Sequence, residues 1–166
     1  VLLSRTSLRA DVTTERLSSL SSQTAEIINN LDTERGVKID AYISPVVPES
    51  YVQTRANLIN VLDERDARGG DKVQVRIYPT VPYSEESALA EEQYGIEGRE
   101  VATRARGAMN IEEIYMGAAI TSGLDRVVIP FFDRGIPAEY ELVRSIATVS
   151  QEKRKRVGVL ETDAKL

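Results

Sequence analysis

The sequence predicts an α/β fold built on a small mixed sheet, and three observations carry that prediction. Short runs in which apolar residues alternate with polar ones, at 37–43, 73–77 and 127–131, mark strands with one buried face. Segments between them place apolar residues three and four positions apart, the period of a helix with one buried stripe. Glycine, proline and serine stand at the joints between the two kinds of segment.

Taken in order, Leu17, Leu20, Thr24, Ile27, Ile28 and Leu31 predict an amphipathic helix from about 14 to 32, or two helices with a serine-rich break. Val37, Ile39, Ala41 and Ile43 alternate with Lys38, Asp40 and Tyr42 and predict the first strand, with a turn at Ser44 to Pro48. Ser50 is the expected N-cap of a helix burying Tyr51, the stem of Arg55, Leu58, Ile59 and Leu62, which Gly69-Gly70 stops. Val73, Val75 and Ile77 give a second strand, ended by Pro79 and Pro82. Ser84 caps a helix reaching Tyr94, with Glu85 and Glu86 in its first turn and Gly95 at its end.

Residues 96–110, rich in arginine and glycine, read as a loop with a short extended piece around Val101. Ile114, Met116, Ala118 and Ile120 form one face of a third strand. Ser122 to Asp125 is a hairpin connection to a fourth strand with Val127, Ile129 and Phe131. Pro137 suits the first turn of a last helix whose apolar positions are Tyr140, Val143, Ile146 and Ala147. Lys153 to Arg156 is a basic connector and Val157 to Leu160 a short strand. The domain division is then 1–36 as an N-terminal segment and helix, 37–150 as the sheet domain, and 151–166 as a linker with the first strand of a following domain. The order strand-helix-strand-helix-strand-strand-helix, with an extra N-terminal helix, is that of a thioredoxin-like fold, its first two strands parallel and joined by a crossover.

Composition narrows the function. A chain of 166 residues, 28% charged and 42% hydrophobic, has room for a core that buries roughly two-thirds of its unfolded surface. The net charge of -5 argues against a nucleic-acid partner. Cysteine is absent, so the Ser44-Pro45-Val46-Val47-Pro48 turn cannot do the thiol chemistry of a thioredoxin-type oxidoreductase. Histidine is absent too, which removes the commonest general base and metal ligand. No catalytic activity, cofactor or metal is expected. No run of roughly 18 apolar residues is present to span a membrane.

One stretch carries a family signature. Arg9-Ala10-Asp11-Val12-Thr13-Thr14, followed by Leu17-Ser18-Ser19-Leu20-Ser21 and Thr24, resembles the segment just outside the first membrane span in auxiliary proteins of ABC transport systems, the gliding-motility GldG-type group. Val12 stands where leucine is expected. Val47-Pro48, Gln93-Tyr94-Gly95-Ile96, Val128-Ile129-Pro130-Phe131, Glu139-Tyr140-Glu141-Leu142 and Lys155 to Leu160 continue the likeness over about 150 residues. The resemblance implies a non-catalytic, extracytoplasmic (periplasmic) domain anchored in the membrane by segments outside this chain, working with a separate ATPase and permease through protein contacts. The alternative is a recognition module for a sugar, a peptide or another small ligand. Oligomeric state is not readable.

Two groups of residues are candidates for contact. Tyr78, Pro79, Val81, Pro82 and Tyr83 form an aromatic and apolar loop suited to a protein partner. Arg99, Arg104 and Arg106 could grip a carboxylate or phosphate. Gly69-Gly70-Asp71-Lys72 follows a helix and precedes a strand, so it is a helix end and not a phosphate loop. The acidic groups Asp63-Glu64-Asp66, Glu91-Glu92 and Glu112-Glu113 lack calcium-loop spacing and read as solvated faces.

Overall fold

The computed structural model describes residues 35–150, together with residues 22 and 26. Apart from residues 22 and 26, the helix expected at 14–32 lies outside the described residues, as do the basic connector and the strand at 157–160. So do most of the first expected domain and the whole of the third, 151–166.

The described chain is a mixed α/β structure. Strands β1 (Val37–Ile43), β2 (Val73–Pro79), β5 (Met116–Ser122) and β6 (Asp125–Ile129) form one sheet in the order β2-β1-β5-β6. β1 and β2 run parallel, joined through helix α1 (Glu49–Gly69), while β1-β5 and β5-β6 are antiparallel. Helix α2 (Glu85–Tyr94) follows β2 and helix α3 (Ala138–Ser150) follows β6. Strands β3 (Arg99–Ala105) and β4 (Ala108–Ile114) pair only with each other, as a separate two-stranded ribbon.

The period-two pattern of β1 sorts its side chains between two layers. Val37, Ile39, Ala41 and Ile43 join Met116, Ala118 and Ile120 of β5 in the main core, beneath Leu58 and Leu62 of α1 and Leu142 and Ile146 of α3. On the other face Tyr42, Ala90 and Ile96 form a smaller cluster with Tyr78, Tyr94 and Val128 under α2. β5 is buried along most of its length, with Gly117 on the α2 side. A Cβ at Gly117 would lie 2.6 Å from Ile96 Cγ2 and 2.8 Å from the Pro130 carbonyl, so only glycine lets these segments approach so closely.

The helix boundaries follow local signals in part. Ser84 caps α2 by accepting from the Ser87 amide, and Gly95 closes it in the left-handed region at φ 65°. α1 departs from expectation. It begins at Glu49 with Pro48 in the cap position and no side-chain cap, so Ser50 lies inside the helix. Its buried stripe is Tyr51, Leu58, Leu62, Arg65 and Gly69. Arg65 is only 1% exposed and reaches Glu139 in the first turn of α3, at 2.8 Å.

Three further expectations are corrected. Residues 99–114 are a hairpin, not a loop, so Ile114 ends β4 and the next strand starts at Met116. β6 stops at Ile129, and Phe131 lies beyond it. Tyr140 points to solvent, and Ala138, Leu142, Val143, Ile146 and Val149 make the buried side of α3. No described helix is long and apolar enough to cross a membrane.

Candidate interaction surface

The loops after β1 and β2, the start of β5 and the end of β6 meet at one end of the sheet, together with the root of the ribbon. Ser44 organises this end. Its hydroxyl donates to the Thr80 carbonyl at 2.9 Å and accepts from the Tyr115 amide at 2.8 Å, while its own amide donates to the Tyr115 carbonyl at 2.8 Å. Arg55 Nε donates to the Ser44 carbonyl and brings α1 into the same network.

A second network fastens the ribbon root. Arg99 pairs with Asp133 at 2.8 Å and lies 4.0 Å above the Phe131 ring, which meets Tyr51 edge-on. The Tyr51 hydroxyl donates to Asp133, and Arg134 stacks over the Tyr51 ring. The Asp133 carboxyl is held below its ordinary range chiefly by the Arg134 backbone amide, with Arg99 and Tyr51 adding to the effect against the opposing cost of burial.

Beside the root, Tyr83, Ser84, Ser87, Ala88, Glu91, Glu113 and Tyr115 line a groove of about 400 Å³. The Tyr115 hydroxyl donates to Glu91 Oε1 at 2.7 Å. Burial and that bond push its ionisation well above the usual tyrosine value, so it is a neutral donor. On the α2 face of the sheet, Tyr42 stacks on Tyr78 at 5.0 Å and is pushed up to about 12, mainly by burial. Asp40 is buried beside it and pairs with Lys38 at 2.9 Å, and that bond raises the lysine.

The loop residues singled out in the sequence separate into two groups. Tyr78 packs in the tyrosine cluster, and Pro79 ends β2 opposite Ile43. Val81 and Tyr83 face solvent around the half-buried Pro82. Tyr83 is 99% exposed and holds φ at 63°, unusual for a bulky residue. The arginines do not converge. Arg99 is engaged at the root, Arg104 lies near the far end of β3, and Arg106 sits in the turn. Arg104 lies five strand positions beyond Arg99, a span of about 17 Å.

The ribbon itself is the largest feature that the sequence left unread. Its turn, Arg106-Gly107, has φ values of 49° and 78°, the pattern of a two-residue type I′ hairpin. Opposed residues share a face, so Glu100, Ala102 and Arg104 stand beside Glu113, Ile111 and Met109. Met109 is 68% and Ile111 70% exposed. The signals available were Gly107 and the alternation of Met109 with Ile111.

Residues 14–121 match the family described as Domain of unknown function (DUF7088), more than half of the chain. The chain belongs to the DUF7088 family. No curated protein and no solved structure matches it. The DUF7088 region takes in β1, α1, β2, α2, the whole ribbon and nearly all of β5, and stops before β6 and α3. Both the Ser44 network and the exposed face of the ribbon therefore fall within DUF7088.

Proposed function

We propose that this is a non-catalytic extracytoplasmic domain of a membrane-anchored auxiliary component of an ABC transport system, acting through protein contacts with the ATPase and permease assembly. The observation that carries the reading is the ribbon. A two-stranded hairpin buries too little to be stable for its own sake. This one nevertheless carries Met109 and Ile111 in solvent beside a firmly anchored root. An exposed apolar stripe on an ordered arm suits a protein partner. The GldG-type likeness of Arg9 to Thr24 supplies the kind of partner and the periplasmic location. We read the sheet as thioredoxin-like with the ribbon inserted between α2 and β5, a reading supported by the parallel β1-α1-β2 unit and the terminal β5-β6 hairpin.

The test is purification of the full-length protein from its membrane in mild detergent, with mass spectrometry of what accompanies it. An ATP-binding subunit and a permease should co-purify in near-stoichiometric amounts, and Met109→Glu with Ile111→Glu should reduce their recovery at unchanged expression. Recovery of the protein alone would overturn the reading. The groove at Tyr83, Glu91 and Tyr115 favours a second reading, recognition of a small polar ligand such as a sugar or peptide, because several hydrogen-bonding groups converge there.

A further inference from the structure

We infer that the outer edge of β3 is a self-pairing surface, on which a second copy of this chain docks antiparallel to make the four-stranded sheet β4-β3-β3-β4. The inference begins with the turn. A two-residue type I′ turn closes on a pair that exchanges both backbone hydrogen bonds, here Ala105 and Ala108. Bonded pairs then recur at Thr103/Asn110 and Val101/Glu112. The amides and carbonyls of Glu100, Ala102 and Arg104 consequently point away from the ribbon. All three residues are exposed, and β3 has no neighbour but β4 among the described strands. Such an edge is a template for another strand.

The side chains select the occupant. Glu100 faces Glu113 across the ribbon, two like charges directly opposed, and neither Glu100 nor Arg104 has an ion-pair partner among the described residues. Pairing two copies about Ala102 sets each Glu100 opposite the other copy's Arg104, twice by symmetry, and the outward backbone groups of positions 100, 102 and 104 meet their complements in the same register. The edge is thus complementary to itself in both charge and hydrogen bonding. The β4 edge is not, because the only charges it carries are Glu112 and Glu113. Docking through β3 also brings the two Met109-Ile111 stripes onto one face of a single sheet and leaves them open.

Sedimentation equilibrium of the 166-residue chain tests this. The unaltered chain should be a dimer in equilibrium with monomer. Glu100→Arg and Arg104→Glu singly put like charges opposite each other at two places and should each weaken the dimer about tenfold or more. The double variant exchanges the charges and should restore it. As a second readout, Ala102→Cys in this cysteine-free chain should form a symmetric disulfide under mild oxidation, since the two Cα atoms would lie within bridging distance. Only monomer in the unaltered chain, or single variants that dimerise as well as the double, would overturn the inference. Because the variants sit on the edge and spare Met109 and Ile111, their outcome is separable from that of the transporter test.

Discussion

Replacing Ser44 by alanine removes the hydroxyl that receives the Tyr115 amide and reaches the Thr80 carbonyl, three groups drawn from the ends of β1, β2 and β5. Ser44 and Tyr115 are buried, so water cannot take over both bonds. The expected loss is about 2 kcal/mol, measured as a lower urea midpoint at an unchanged slope. Asp133 yields a prediction in pH. Its folded value lies below its unfolded one, so its contribution is complete above the ordinary aspartate value of 3.8 and is lost as pH falls through the folded value. The stability difference between the unaltered chain and Asp133→Asn should stay level from neutral pH to about pH 4 and shrink below it, as followed by urea titrations at successive pH values.

Helices α1 and α3 are joined by one ion pair with very unequal exposure. Arg65 is enclosed, whereas Glu139 keeps part of its surface in water. Truncating Glu139 to alanine orphans a buried cation and should cost about 3 kcal/mol, while Arg65→Met with Glu139→Leu should recover much of that loss by replacing the pair with apolar contact. Thermal or urea unfolding of the two variants checks the order. The elements also show where sequence reasoning succeeds. α2 was legible at both ends because Ser84 and Gly95 act within one turn of the chain. α1 hid its start, because Pro48 holds the cap position without a side-chain bond, and Arg65, which the charged run Asp63-Glu64-Arg65-Asp66 places on the exposed face, is instead buried by its pairing with Glu139. The ribbon was missed because its apolar alternation is confined to Met109 and Ile111 on β4, while β3 offers only Val101 among charged and small residues, too little to mark a strand pair. Arg104 was singled out as an anion contact, but the proposed complement is Glu100, across a boundary between copies that no single sequence displays.

At the scale of the molecule, one end of the sheet gathers the Ser44 network, the Asp133 network, the groove and the ribbon root, while the opposite faces of the sheet are closed by α1 with α3 and by α2. A pull on the ribbon is carried by Arg99 to Asp133 and on to Tyr51 at the head of α1. Beyond its root, the ribbon is built almost wholly from its own two strands, and that has an evolutionary consequence. Its length can drift without repacking the core, each added cross-strand pair extending the arm by about 3.4 Å. The drift is quantised, however. One residue added to each strand keeps the pairing but rotates the tip by one face, turning the Met109 and Ile111 equivalents away from the side on which they now stand. Only additions of two per strand lengthen the arm and keep its orientation, so insertions surviving in this arm should total multiples of four.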